Sequence, residues 1–186
     1  MQNNKIYQTI LAAIIAALYV SLTVPAANIA YGMIQFRLAE ALTVLPAFTP
    51  AAIPAVFLGC FIANILNPQN LGLIDIIGGS LCTALAAGLS YKLAEPWRAA
   101  RLGKPGAKDF KSKQLRKREL LMLLPPVLVN ALIVGAYLPF LFTDSGSPPF
   151  SLILITQLSI LLSQTIVIYG IGYPFLKAIA KTKFLR

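Results

Sequence analysis

The sequence predicts an all-α integral membrane protein built as a bundle of six helices, and two observations carry this prediction. Hydrophobic residues make up 58% of the 186 residues and charged residues only 12%, against about 25% charged residues in soluble domains. The apolar residues are gathered into stretches that can enter a bilayer, where helices satisfy their backbone hydrogen bonds internally. The length allows one domain, so residues 1–186 are expected to form a single membrane domain.

Six helical segments follow one another along the chain. The first lacks a clear signal-peptide cleavage site and is expected to be retained. The second is short for a crossing and is therefore tilted, partial or re-entrant. Thr49 and Pro50 are expected to be the N-cap and first residue of the third helix, and Pro125-Pro126 to kink the fifth. The predicted segments are residues 6–24, 36–48, 50–66, 71–93, 119–142 and 151–178.

The basic residues predict which ends of the helices face the cytoplasm. Of 16 Lys and Arg, ten lie between Lys92 and Arg118, and four lie in the last ten residues. Such clusters beside apolar stretches are typical of cytoplasmic flanks, which predicts a solvated cytoplasmic loop at about 94–118 and cytoplasmic N- and C-termini. The same placement argues against nucleic acid as a partner. The loop is either a plain topology signal or a contact for anionic lipid or a cytoplasmic partner.

The sequence lacks the residues that many enzymes need. It contains no His, the commonest general base and metal ligand, and no GxxxxGK[ST] phosphate loop. Cys60 and Cys82 lack CxxC spacing and are interpreted as small packing residues. We therefore expect a protein that is not an enzyme, without catalytic residues, metal or cofactor. The enzyme alternative is a small membrane enzyme acting on lipid head groups, with Asp75 near the interface in its favour.

The rare polar residues of the apolar segments fall near the helix ends opposite the basic loop. Arg37 and Glu40 are three residues apart at the start of the second segment, and Asp75 starts the fourth. Charged residues in membranes usually pair or line a polar cavity. Arg37 and Glu40 therefore predict either a mutual salt bridge that stabilises the fold or a ligand site. Amides and a phenol can join such a site because they share helix faces at seven-residue spacing: Asn130 with Tyr137, and Gln157 with Gln164.

Small residues on the first segment predict a close helix contact. Alanines stand at positions four apart in two overlapping pairs, and this spacing lets another backbone approach closely. The pattern indicates either packing within the bundle or a docking face for another membrane subunit. The residues are Ala12, Ala13, Ala16 and Ala17.

Several runs of the sequence resemble the QueT family. The most specific is IQFRLAEALTVLP at 34–46, supported by FTPAAIP at 48–54, FLGC at 57–60, GLID at 72–75 and PPVLVNALIVG at 125–135. QueT proteins are similar to the substrate-binding S components of energy-coupling factor (ECF) transporters. The resemblance implies a six-helix S-component fold in a bacterial cell membrane, a membrane-embedded coupling subunit and two cytoplasmic ATPase subunits as partners. It also implies uptake of a queuosine precursor, a 7-deazaguanine base, with a different vitamin or base as the alternative.

The resemblance assigns expected roles to the polar residues. Glu40 is the first choice to accept the paired N–H donors of a guanine-like edge, and Asp75 the second. Arg37 is expected to orient Glu40 or to donate to the carbonyl oxygen of the base. The remaining contacts are expected from the amides Asn130, Gln157 and Gln164 and, by stacking, from Phe36 and Tyr137. The four alanines match the face on which S components dock to the coupling subunit.

Overall fold

The computed structural model describes residues 2–31, 35–69, 71–103, 110–143 and 146–182, and every regular element within these ranges is helical. The α-helices are α1 (Gln2–Thr23), α2 (Ala27–Ala30), α3 (Ala52–Ile65), α4 (Leu73–Leu93), α5 (Glu95–Arg101), α6 (Ser112–Leu121), α7 (Leu124–Val129), α8 (Gly135–Phe142), α9 (Phe150–Thr165) and α10 (Tyr173–Ala180). A 3₁₀ helix (Leu38–Ala47) and two π segments, the first Asn130–Val134 and the second Ile166–Gly172, complete the fold.

Four helical stretches of the described residues are long and apolar enough to cross a membrane. They are Lys5–Thr23, Leu73–Leu93, Lys113–Phe142 and Phe150–Ala180. Two further apolar helices, Leu38–Ala47 and Ala52–Ile65, are shorter. These findings confirm a multi-pass, all-helical membrane protein. The arrangement of all six as crossings stays a prediction, because two of the segments are shorter than the roughly 20 residues that a crossing needs.

The second predicted segment is the 3₁₀ helix, and it forms the centre of the bundle. Residues Ala39 to Ala47 are all buried. The helix packs against α1, α4 and the second π segment. At about 2.0 Å per residue it is roughly 20 Å long, shorter than a hydrocarbon core of about 30 Å. Pro46 lies inside it, where the missing N–H interrupts a regular α-helical ladder.

The third helix begins slightly later than predicted. α3 starts at Ala52 rather than at Pro50, and Thr49 Oγ1 accepts a hydrogen bond from the Ala51 N–H at 3.3 Å.

The contact between α1 and α3 is very close. Further along α3, a Cβ added to Gly59 would lie 2.5 Å from Tyr19 Cβ and 3.1 Å from the Ala16 carbonyl oxygen. Glycine at 59 is therefore required for the two backbones to approach this closely.

The two long C-terminal stretches are interrupted. The fifth predicted segment is interrupted just before the two prolines at which a kink was predicted: α6 ends at Leu121, and α7 restarts at Leu124 with Pro125 in its first turn. The two π segments, which no sequence pattern predicted, interrupt these stretches further along. The second π segment packs on the 3₁₀ helix, since a Cβ on Gly172 would lie 2.8 Å from Val44 Cγ1.

The described part of the stretch predicted as a solvated basic loop at 94–118 is largely helical rather than a loop, while most of its charged side chains are exposed. α5 and α6 cover most of it, while residues 104–109 lie outside the described ranges. The indole of Trp97 on α5 is fully buried and donates to Glu119 Oε1 at 3.2 Å. A buried aromatic ring therefore folds this basic stretch back onto the bundle.

A cluster of polar contacts holds the end of the bundle that carries Lys92 and Lys181, called here the basic end. Glu119 is fully buried, pairs with Lys177 Nζ at 2.5 Å and accepts from the Tyr173 hydroxyl at 3.2 Å. We call Glu119, Lys177, Tyr173 and Trp97 the Glu119 cluster.

Two arginines of α5 tie it to other helices at the basic end. Arg98 Nη1 donates to the carbonyls of Ala47 at 3.0 Å and Tyr91 at 2.7 Å. Burial lowers the pKa of the Arg98 guanidinium from its ordinary value. Arg101 donates to the Ala180 carbonyl at the end of α10. The short helix thus joins the 3₁₀ helix, α4 and α10.

Candidate functional site

Away from the basic end, buried polar side chains from five parts of the bundle form one network. It extends through α1, the start of the 3₁₀ helix, α3, α4 and the stretch from the first π segment to α8. Most of its members are buried, and Tyr137 is half-buried. The members are Tyr19, Tyr31, Arg37, Glu40, Cys60, Asn64, Asp75, Thr83, Asn130 and Tyr137.

Glu40 lies at the centre of one half of the network. It is only 2% exposed and stands in the first turn of the 3₁₀ helix, where free backbone N–H groups favour a negative charge. The Tyr19 hydroxyl donates to Oε1 at 2.5 Å, and Asn130 Nδ2 donates to Oε2 at 3.4 Å. Each carboxylate oxygen has two lone pairs. The oriented carboxylate can therefore accept a further donor on each oxygen.

Arg37 does not form the salt bridge with Glu40 that one interpretation of the sequence predicted. Among the described residues the ion pair is Lys177–Glu119. Arg37 precedes the 3₁₀ helix with an extended backbone (φ −99°, ψ 103°), so the helical spacing that brings residues three apart together does not apply to it.

The guanidinium of Arg37 is instead held by backbone, sulfur and an aromatic ring. Nε donates to the Ala30 carbonyl at 2.9 Å, Nη1 approaches Cys60 Sγ at 3.8 Å, and the group lies 4.7 Å from the centroid of the Tyr31 ring. A guanidinium has five N–H donors, and within the described residues two have acceptors. The buried cation is therefore fixed in place with donor capacity remaining.

Asp75 forms the other half of the network. It is 2% exposed in the first turn of α4, and the Tyr137 hydroxyl donates to Oδ1 at 2.9 Å. Asn64 Nδ2 donates to the Asp75 carbonyl oxygen at 3.1 Å. Gly79 leaves room for these groups, because a Cβ there would lie 3.2 Å from Asn64 Nδ2 and 3.3 Å from the Tyr137 hydroxyl. This position explains one of the two adjacent glycines of α4.

Cys60 links Arg37 to the Asp75 half of the network. Its sulfur lies within weak hydrogen-bonding distance of Arg37 Nη1, of Asn64 Nδ2 at 3.7 Å and of Thr83 Oγ1 at 3.6 Å. Asn64 Oδ1 is buried without a hydrogen-bond partner among the described residues. A buried amide oxygen with no donor is unfavourable by roughly 1–3 kcal/mol. Asn64 Oδ1 can therefore accept a hydrogen bond from a ligand group that enters this part of the network.

Sequence reasoning missed Tyr19, Tyr31, Cys60, Asn64 and Thr83. Asn64 had a usable signal, because an amide within an otherwise apolar membrane helix usually finds a partner on another helix. Tyr19 had a weaker one: it follows Ala16 by three residues and so shares the face of α1 that Gly59 contacts. Cys60 had none, since its spacing and surroundings are those of a packing residue.

Three predicted site residues make no hydrogen bond to the network among the described residues. Gln157 is half-buried, and its Nε2 donates to the Leu132 carbonyl at 3.4 Å. A Cβ added to Gly135 would lie 2.9 Å from Gln157 Cγ, so Gln157 packs α9 closely against α8. Gln164 is buried with Oε1 lacking a partner among the described residues. Phe36 is half-buried, and its backbone N–H donates to the Ile29 carbonyl at 2.8 Å.

An apolar groove with a volume of about 540 Å³ lies beside the network, between α4 and α8. Tyr137 belongs to both, since its ring lines the groove and its hydroxyl contacts Asp75. The groove is open and almost wholly apolar, so it is suited to acyl chains rather than to a polar ligand. Its lining residues are Ile74, Leu132, Ile133, Ala136, Tyr137, Phe140 and Leu141.

The four alanines of α1 are divided between two faces. Ala16 is buried against α3, and Ala12 is partly buried against the same core. Ala13 and Ala17 are exposed. The first pair therefore serves packing within the bundle, and only the second pair is available to another protein.

Four membrane-length helices around a buried polar network define the chain as a multi-pass membrane protein. Among the described residues no group of three His, Cys, Asp or Glu side chains is placed to hold a metal ion. The chain matches the QueT transporter family over residues 9–181 and belongs to that family. The resemblance noted in the sequence is thereby confirmed, and membership assigns the chain to a family of transporters rather than of enzymes.

One relative supports this assignment over part of the chain. "Queuosine precursor transporter QueT" of Lactococcus lactis subsp. cremoris (strain MG1363) is 39% identical over 95 residues. The aligned region covers 50% of this chain and 54% of the relative, about half of each. No solved structure matches the chain.

Proposed function

We propose that this protein is the substrate-binding S component of an ECF-type importer and that it captures a queuosine precursor, a 7-deazaguanine base, from outside the cell. The observation that carries the proposal is Glu40. It is a buried carboxylate with both oxygens oriented by donors, in a chain of the QueT transporter family. The name of the Lactococcus lactis relative supports the substrate class.

The chemistry of the network suits a guanine-like edge. Such an edge presents adjacent N–H donors, which one carboxylate can accept together. Glu40 takes this role, while Arg37 donates to the carbonyl oxygen of the base. Asp75 accepts a further donor or an aminomethyl cation on the base. Asn130 and Gln164 supply the remaining amide contacts, and Gln164 brings a buried Oε1 with free acceptor capacity among the described residues.

The half-buried residues have secondary roles in this proposal. Phe36 and Tyr137 are the stacking candidates for the flat base. Gln157 lies midway along α9, where it contacts the backbone of the first π segment. Because it is half-buried, we assign it to the entrance rather than to the centre of the site.

The transport cycle needs partners that this chain does not contain. The six apolar segments of a single membrane domain span the bilayer, with the basic end and both termini in the cytoplasm. A membrane-embedded coupling subunit docks on the exposed Ala13 and Ala17 of α1, and two cytoplasmic ATPase subunits drive the cycle. Release on the inner side requires a lower affinity for the base in the docked state.

The binding test is Glu40→Gln. The substitution keeps the size of the side chain and removes the charge, so the hydrogen bonds to the base lose roughly 1.5–3 kcal/mol. We expect calorimetry with 7-aminomethyl-7-deazaguanine to show affinity reduced at least about 10-fold. Glu95→Gln is the matched control, because it makes the same change at an exposed position of α5. Unchanged affinity in Glu40→Gln, with binding by the wild type, would remove Glu40 from the site.

The docking test is Ala17→Leu. A leucine on this exposed face prevents close approach of a second backbone, so uptake by the full complex is expected to stop while the isolated chain still binds the base. Thr165→Leu adds the same side chain at an exposed position of α9 and serves as control. Normal uptake by Ala17→Leu would contradict docking on α1.

A further inference from the structure

α1 carries features of both proposed sites on its two faces. Ala13 and Ala17 are exposed on one face. On the other, Tyr19 is fully buried, and its hydroxyl donates to Glu40 Oε1 at 2.5 Å. One rigid helix thus contains the surface proposed for docking and a hydrogen-bond donor to the proposed substrate carboxylate.

The position of the Tyr19 hydroxyl depends directly on the position of α1. At Gly59 the backbone of α3 approaches so closely that an added Cβ would lie 2.5 Å from Tyr19 Cβ and 2.9 Å from Tyr19 Cγ. The start of the side chain is therefore enclosed, and rotation cannot absorb a shift of the helix. A displacement of α1 must move the hydroxyl relative to Glu40.

α1 is also the least buried of the four membrane-length helices. Only 17% of its apolar stretch is buried inside the protein, against 33–50% of the apolar stretches of the other three helices. The helix that holds Tyr19 therefore offers the largest share of its residues to a partner on its outer face.

We infer that Tyr19 is a positioning residue through which docking on the exposed face of α1 lowers the affinity of the Glu40 site for its ligand. The inference rests on the proposed function. In the isolated chain, Tyr19 and Asn130 together orient the carboxylate. When a partner shifts α1, Glu40 loses the donor on Oε1, its carboxylate is no longer oriented for the base, and affinity falls. By linkage the base must weaken docking by the same factor.

The experiment compares wild type with Tyr19→Phe, which removes only the hydroxyl. Dissociation constants for 7-aminomethyl-7-deazaguanine are measured for the chain alone in lipid nanodiscs and for the chain in complex with the coupling subunit. We expect the wild type to bind about 10-fold more weakly in the complex. Tyr19→Phe is expected to bind weakly in both states, with the two constants within about twofold of each other. Tyr7→Phe removes the same group from an exposed position of α1 and should match the wild type.

Two outcomes would overturn the inference. The first is a Tyr19→Phe variant that keeps the wild-type ratio of the two dissociation constants. The second needs no variant: wild-type affinity for the coupling subunit that is equal with and without saturating base. Failure of the proposed function is recognised separately, because the wild type would then neither bind the base nor assemble with the coupling subunit.

Discussion

Replacing Glu119 with alanine tests whether the Glu119 cluster holds the basic end together. The carboxylate and the Trp97 indole are both fully buried, whereas the Lys177 side chain is 44% exposed. Loss of the ion pair itself therefore contributes little, since Lys177 can regain water and exposed pairs are worth about 0–1 kcal/mol. The greater losses of stability come from the buried indole N–H left without its acceptor and from the missing bond to Tyr173, at roughly 1–3 kcal/mol each.

Together these losses predict that Glu119→Ala lowers the free energy of unfolding by about 2–6 kcal/mol. For a chain of this size that corresponds to a fall in melting temperature on the order of 10 °C. Trp97 is the only tryptophan in the sequence, so its fluorescence during thermal unfolding in detergent reports from within the cluster. Glu95→Ala, at an exposed position of α5, is the control. A melting temperature for Glu119→Ala within about 2 °C of that control would refute the reasoning.

Three other contacts lead to predictions that the same preparations can test. Gly59→Ala places a Cβ 2.5 Å from Tyr19 Cβ and should lower the free energy of unfolding by about 1–3 kcal/mol through overpacking. A melting temperature of this variant equal to that of the wild type would contradict the close contact. Tyr137→Phe removes the donor to Asp75 Oδ1 and should lower the unfolding free energy by roughly 1–2 kcal/mol, measured by the same melt; no change would mean that Asp75 is otherwise satisfied. Cys60 and Cys82 are both buried, so maleimide should label the folded protein far more slowly than the denatured one by mass spectrometry, and equal rates would be evidence against their burial.

Hydropathy predicted the helices well because a bilayer leaves the backbone few options. A chain that crosses lipid must satisfy its hydrogen bonds within each segment, so an apolar stretch of the right length becomes a helix. The fourth segment, predicted at 71–93, is Leu73–Leu93. The break in the fifth segment lies at 122–123, just before the kink predicted at Pro125-Pro126, because a ring without an N–H cannot bond back to the preceding turn.

Sequence reasoning failed where helix type or tertiary contact decides the outcome. The spacing of Arg37 and Glu40 predicted adjacent side chains, but Arg37 is extended and the two groups find different partners. Residues 94–118 are rich in charge and were assigned to a loop. Trp97 and Glu119 are 22 positions apart in the chain, and their contact brings together the two helices that cover most of this stretch. No local pattern encodes such a pairing.

The partners of Glu40 were identifiable only from the structure for the same reason. Tyr19 and Asn130 are 21 and 90 positions from Glu40 in the chain. Asn130 was predicted to belong to the same site, but not to contact Glu40, and Tyr19 looks like an ordinary member of its own helix. Composition indicated that polar groups would gather away from the basic loop, which is where the network lies, but not which of them would touch.

The 3₁₀ helix makes the spacing between the polar network and the basic end depend on how its backbone is coiled. Glu40 lies near its start, and the Ala47 carbonyl at its last residue accepts from Arg98 at 3.0 Å. The seven residue steps from Glu40 to Ala47 measure about 14 Å in this form and about 10.5 Å as an α-helix. Recoiling would bring the two residues closer by about 3.5 Å, more than any hydrogen bond can stretch. Glu40 therefore could not keep Tyr19 and Asn130 while Ala47 kept Arg98, and events at either end of the molecule are tied together by the length of one short coil.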